Sequence, residues 1–390
     1  MDQTALINGT TGILFILSAN AAIWFFLEKR TGAKIFSYFP PLMFIYILSA
    51  VYSNIGLIPS KSVLYDWMGS DMLPFLLILL LLDVDVAATL KVAGKGIFVM
   101  LVGTVGVIIG APLGFAAVQG WLDPEAWKGY GSLAGSWIGG TGNMAAVSEG
   151  LGTSGTHFGL AVIADNVVYL FWLPLLIQSK NLAKWFHKFT RVTESQVDAM
   201  KTAATNLVVE KDKVQLWDYL YLVAIASCGT FLATVIASVI PEVAPVLTTG
   251  TYKILLVTTI GLILSFTTAK KIPGSHELGM AMIYLFVARM GAKAVVAGLA
   301  GQAVPFVAGA FIMISMHGLF IVLAARLFRI DVHTAAISSA ANIGAAASAP
   351  VVAAYHDERL VPVSILMSLI GYAVGNYAAF FAAYLCSLLA

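Results

Sequence analysis

Ten stretches of this chain are apolar for long enough to cross a lipid bilayer, and that leaves few alternatives for its fold. A helix spanning a hydrocarbon core about 30 Å thick needs about 20 predominantly apolar residues. Stretches of that kind run over 5–27, 36–58, 71–90, 94–118, 156–178, 217–240, 249–269, 278–300, 302–325 and 360–388. Only 11% of the residues are charged, against about 25% in a soluble protein. A polar coat that would hold such a chain in water is therefore missing. In lipid each backbone amide must be satisfied within the chain, and helices do so segment by segment. The expected fold is all-α: a polytopic protein of about ten transmembrane helices in the inner (cytoplasmic) membrane.

The net charge of +2 and the lack of a dense Lys/Arg run argue against nucleic acid as a partner. Cys228 and Cys386 both lie in apolar stretches and read as packing residues. The first stretch reads as a retained span, because Asp2 precedes it without a basic residue and Glu28-Lys29-Arg30 ends it.

Loop charges orient the chain. Lys29, Arg30 and Lys34 follow the first stretch, and Lys91 and Lys95 follow the third. Lys180, Lys184, Lys188 and Arg191 follow the fifth, Lys270 and Lys271 the seventh, Arg326 and Arg329 the ninth. The intervening connections carry Asp66, Asp71, Asp123, Glu125 and Glu242 instead. By the positive-inside rule both termini are expected outside the cytoplasm. The long hydrophilic segment 180–216 then reads as a cytoplasmic linker between halves 1–179 and 217–390. Five spans per half is an odd number, so the second half is expected upside down relative to the first, an inverted repeat.

Two segments fit neither a lipid-facing span nor a free loop. One, about 130–152, contains Ser136-Trp137-Ile138-Gly139-Gly140-Thr141-Gly142-Asn143; the other, about 333–352, contains Ser338-Ser339-Ala340-Ala341-Asn342-Ile343-Gly344 and Ser348. A constant offset of 202 residues superposes Ala134 on Ala336, Ser136 on Ser338, Gly142 on Gly344 and Ala145 on Ala347. Such sequences suit re-entrant helical hairpins, whose irregular backbone survives at depth only beside protein or a wet cavity. Half-helix N-termini there favour an anion, and released carbonyls a cation. The competing reading is that these Gly/Ala/Ser runs are ordinary helix-packing faces.

Polar groups at depth are costly and need a reason. Asp165-Asn166 lies in the fifth stretch and Asn376 in the tenth. Asp165 with Asn143 offers hard oxygen ligands suited to Na⁺, or a titrating site for H⁺; the bland alternative is a structural Asp. Asp83 and Arg289 are expected to form an ion pair between the third and eighth stretches, with a clamp by Arg289 on a substrate carboxylate as the alternative. His317 reads as a packing histidine, and His157, His187, His276, His333 and His356 show no metal-ligand spacing.

Over Ser136–Ala146 and Ala164-Asp165-Asn166 the sequence resembles the YjcL-like family of bacterial and plastid membrane proteins of unknown function. The resemblance runs over nearly the whole chain. More distantly, the paired hairpins look like those of the sodium–glutamate and sodium–2-hydroxycarboxylate symporters. That likeness implies a homodimer with an elevator-like transport domain. Their Gly-Gly-Xaa-Gly signature is replaced in the second half by Ala341-Asn342-Ile343-Gly344.

Taken together, the expectation is a Na⁺- or H⁺-coupled carrier of a small organic, anionic solute, and not an enzyme. No cofactor beyond the coupling ion is implied, since no phosphate-binding Gly-x-x-x-x-Gly-Lys-Ser/Thr run is present. Ser136, Gly139, Gly140, Thr141, Gly142, Asn143, Asp165, Asn166, Ser338, Ser339, Asn342, Gly344, Ser348 and Asn376 are the candidate binding residues. A channel is the alternative, and an intramembrane aspartyl protease using Asp83 and Asp165 a remote one.

Overall fold

A computed structural model describes residues 5–33, 35–38, 41–84, 89, 93–193, 213–295, 299 and 301–390. The described residues are helical apart from turns and one isolated bridge between Val243 and Leu247. The principal helices are α1 (Thr10–Thr31), α2 (Pro41–Asn54), α3 (Val63–Leu82) and α4 (Lys95–Val118). After them come α5 (Ala126–Gly150), α6 (Gly155–Gln178) and the short α7 (Ala183–Thr190). The second half supplies α8 (Leu216–Val239), α9 (Thr249–Ser265), α10 (Ser275–Ala292) and α11 (Ala303–Phe328). It ends with α12 (Val332–Ile343), α13 (Ala345–His356) and α14 (Val361–Ser387).

Seven of these, α1, α3, α4, α6, α8, α11 and α14, are long and apolar enough to cross a membrane. The stretches expected at 36–58, 249–269 and 278–300 are occupied by α2, α9 and α10. Local chemistry sets the helix ends. Ser62, Ser154, Thr248 and Asp331 accept backbone N–H groups at the starts of α3, α6, α9 and α12. Gly32, in the left-handed region, closes α1. Of the expected linker, residues 183–190 form α7, whereas Lys201, Glu210, Lys211 and Asp212 lie outside the described residues.

The helices sort into two layers. In one, α1 packs on α2, α2 on α10, α10 on α3, α3 on α9 and α9 on α8. In the other, α4 packs along α11, with α5, α6, α12, α13 and α14 gathered around them. Each layer thus draws helices from both halves of the chain. The α4–α11 pair is antiparallel and unusually close, because glycines of α4 face its partner. A Cβ on Gly103 would lie 2.5 Å from Ile321, and one on Gly110 2.7 Å from the Met313 carbonyl oxygen. Small residues allow this approach where dispersion, not the hydrophobic effect, must hold helices together.

The expected Asp83–Arg289 ion pair is not formed. Helix α3 begins at Val63, eight residues earlier than the apolar run suggests, through a π-turn over Met68–Met72. It packs antiparallel to α10, so Asp83 at its end meets Ser275 and His276 at the start of α10. Arg289, near the end of α10, instead reaches the Tyr65 carbonyl at the start of α3. Asp83 and Arg289 therefore sit at opposite ends of the helix pair and form no ion pair.

Candidate functional site

Both polar segments fold back on themselves. Helical hydrogen bonding in α5 is interrupted at Gly139 (φ −141°, ψ 15°) and Gly140 (φ 76°, ψ −170°). In a straight helix residues 135 and 143 would be about 12 Å apart. Here a Cβ on Gly135 would lie 2.8 Å from the Asn143 carbonyl oxygen, so the second arm returns beside the first. Near the base, the Ser132 and Thr153 hydroxyls are 3.3 Å apart. The second hairpin is α12 and α13, turned at Gly344 and at Ala345, whose φ is +47°. His333 and His356, at its base, bring their Nδ1 atoms within 2.9 Å.

The hairpins enter from opposite ends of the helices that flank them and meet tip to tip. At the base of the first, Tyr130 lies against Phe115 near the end of α4, Gly131 packs on Ala383 near the end of α14, and Thr153 leads into the start of α6. At the base of the second, Thr334 lies against Gly96 at the start of α4, and His356 bonds the Leu176 carbonyl at the end of α6. Between them, a Cβ on Gly140 would lie 2.8 Å from that of Ala345. Helix α14 closes over this junction through Gly371 and Gly375. A Cβ on Gly371 would stand 2.5 Å from the Ile138 carbonyl oxygen, and one on Gly375 3.1 Å from the Gly139 Cα. The Asn143 amide donates to the Tyr372 carbonyl at 3.2 Å and fills the space the two glycines leave.

One face of α6 runs past both hairpins. Asp165 accepts the Ser136 hydroxyl (3.1 Å) and the Trp137 indole N–H (2.7 Å) from the first. One turn on, the Tyr169 ring lies 3.4 Å from a Cβ on Gly344. Next, the Trp172 indole donates to Ser339 at 3.0 Å. The spacing i, i+4, i+7 keeps these three on one side of the helix.

The sequence-derived candidates divide accordingly. Gly139, Gly140, Asn143, Gly344 and Ser348 gather at the junction, where the buried Ser348 hydroxyl faces the Tyr169 phenol. Thr141 opens the first hairpin's second arm, and Gly142 turns to Leu80 and Ile283 of the other layer. Ser338 donates to Thr334 and Gly96 carbonyls, Ser339 bonds His317 and Trp172, and Asn342 bonds Thr104, so all three anchor the hairpin to its neighbours. Asn166 donates within its own helix, and Asn376 donates to Thr258 of α9. Of the two residues expected to hold a cation, Asp165 is bonded to Ser136 and Trp137 and Asn143 to Tyr372. Nor do Asp83 and Asp165 share a proton as a protease dyad requires: Asp83 lies at Ser275 and His276.

One strong interaction escaped the sequence reading. Glu149, in the first hairpin's second arm, forms a two-pronged ion pair with Arg289 of α10, at 2.6 Å and 3.2 Å. Arg289 is 1% exposed, donates its Nε to Tyr65 and stacks on Phe286. Gly69, in the π-turn, leaves the room for this pair.

The profile of the family described as "Protein of unknown function (DUF819)" matches residues 15–389. The chain is also 28% identical over 343 residues, 85% of its length and 86% of the relative's, to the uncharacterized membrane protein YjcL of Bacillus subtilis (strain 168).

Proposed function

The chain belongs to the DUF819 family of proteins of unknown function, and for this member we propose secondary active transport of a small anionic organic solute across the inner membrane. The observation that carries the reading is the tip-to-tip junction of Gly140 and Ala345 between hairpins entering from opposite ends. Both second arms start there, at Thr141 and Ala345. Their first-turn N–H groups lack helical acceptors and their dipoles point positive ends at one spot, which favours a carboxylate. Buried Ser348 adds a hydroxyl there.

An inverted two-fold repeat fits the packing. Contacts α1–α2, α2–α10, α1–α10 and α4–α14 have counterparts α8–α9, α9–α3, α8–α3 and α11–α6. Each pair converts into the other when helices of one half are exchanged for those at the same place in the other. Alternating access then consists of the hairpin layer moving against α3, α9 and α10. Contacts between them include Gly142 on Leu80 and Ile283, Gly150 on Thr248 and Thr251, Glu149 on Arg289, and Asn376 on Thr258. On this reading the Glu149–Arg289 pair holds one end state.

Asp165 is the coupling residue in this scheme. A cation or proton taken up there changes what Ser136 and Trp137 bond to, and hence the first hairpin's arm. One charge moving inward supplies about 2.3 kcal/mol per 100 mV, enough for about fifty-fold accumulation. The test begins with a thermal-shift screen of carboxylates and amino acids in Na⁺, in K⁺ and at low pH. Stabilising solutes are then assayed for uptake into proteoliposomes. Gradient-driven accumulation is expected in the native protein. Asp165→Asn keeps an acceptor for Trp137, so it should fold but uncouple uptake from the ion gradient. Uptake still driven by the gradient in that variant removes Asp165 from the mechanism. Unitary currents far above carrier turnover would make the protein a channel.

A further inference from the structure

Away from the hairpin tips, His187 of α7 meets two side chains, two residues apart in sequence, at the base of the second hairpin. His187 of α7, Asp331 and His333 place one potential ligand atom each within 4.8 Å of one another. Asp331 is 2% exposed and His333 is also buried. We propose that His187, Asp331 and His333 bind a transition-metal ion of the Zn²⁺ class, which fastens α7 to the base of the second hairpin.

The hydrogen bonding around the cluster prepares it for a metal. His356 Nε2 lies 2.9 Å from the Leu176 carbonyl oxygen, which can only accept. Its proton is therefore on Nε2, and its Nδ1 is the acceptor facing His333 Nδ1 at 2.9 Å. His333 donates from Nδ1, so the lone pair is on its Nε2, the form in which a neutral imidazole ligates. The Val332 N–H points at His187 Nε2 from 3.4 Å, so that nitrogen is unprotonated, and its lone pair would pass from this long hydrogen bond to the metal. Asp331 is held in place by the N–H groups of His333 and Thr334 on Oδ1 and by the Thr334 hydroxyl on Oδ2.

Two imidazoles and a carboxylate are a donor set that suits Zn²⁺, with a fourth position open to water. Ligand atoms in a tetrahedral site with bonds of about 2.0–2.2 Å are about 3.4 Å apart, so modest side-chain rotation closes the cluster. His356 then acts as the outer partner that fixes the ring of His333. The metal would tie three parts together: α7, the hairpin base and, through His356, the end of α6. This holds whether or not the protein carries a solute.

The test uses purified, tag-free full-length protein, since an affinity tag of histidines would itself bind metal. Zn²⁺ is titrated in competition with a chromophoric chelator, and Co²⁺ is added separately to read the visible bands of a tetrahedral site. About one ion per chain is expected, with a rise in melting temperature. His187→Ala, at a partly exposed position on a short helix, should weaken binding by about ten-fold or more while melting normally without metal. His356→Gln, which touches no metal, should weaken it by about 10–100-fold. Absence of stoichiometric binding to the native protein, or undiminished binding by His187→Ala, overturns the proposal.

Discussion

Glu149→Gln is expected to destabilise the protein by about 3 kcal/mol, because it leaves the Arg289 guanidinium buried without a counter-charge. Breaking a buried ion pair by removing one partner costs about 3–5 kcal/mol. The lower end applies here, since the Glu149 side chain is 28% exposed while that of Arg289 is 1% exposed. Equilibrium unfolding in mild detergent measures the loss. The double substitution Glu149→Gln with Arg289→Gln removes the orphaned charge and should recover a substantial part of it. If the single variant melts like the native protein, the pair does not hold the hairpin to α10.

Gly140→Ala is expected to be nearly as disruptive, for a different reason. Gly140 has φ 76° and ψ −170°, a region in which a side chain costs about 1–3 kcal/mol. The added methyl would also stand 2.8 Å from the Ala345 Cβ, separating the two tips. Solute-dependent stabilisation and uptake should both be lost. Ala345→Gly in the same chain removes the opposing methyl and relieves the left-handed backbone at Ala345, which has φ +47°. The pair of changes should therefore be less harmful than Gly140→Ala alone, and an additive outcome would separate the tips energetically.

The hairpins were legible in the sequence because their composition is anomalous at the local level. Gly139-Gly140-Thr141-Gly142 and Asn342-Ile343-Gly344 are too polar for lipid yet sit between apolar stretches, and the backbone turns at Gly139, Gly140 and Gly344. What failed was anything that depended on direction around a helix. Ser338, Ser339 and Asn342 lie on the side of α12 that faces α4 and α11, so their polarity serves anchoring. Charge pairing failed because apolar length misplaced α3: with its start at Val63, Asp83 moves to the wrong end to meet Arg289. A count of charges at depth holds the missing signal, since Arg289 needs a partner and Glu149 stands in a buried, glycine-rich hairpin. The His187–Asp331–His333 cluster is not announced by spacing, because His187 comes from the segment between the halves and only Asp331 and His333 are neighbours in sequence.

The central claim, that the two hairpins approach one junction from opposite faces of the membrane, is tested most directly by sided labelling. Gly120, at an open exposed position beside the first hairpin's base, and Glu358, exposed in the turn after the second, each accept a cysteine without disturbing a neighbour. With the exposed Cys228 replaced by Ser and the buried Cys386 kept, each variant is treated in intact cells and in inverted vesicles with a membrane-impermeant thiol reagent. The account predicts that Gly120→Cys reacts from the outer face and Glu358→Cys from the cytoplasmic face. Reaction of both from the same face would contradict it.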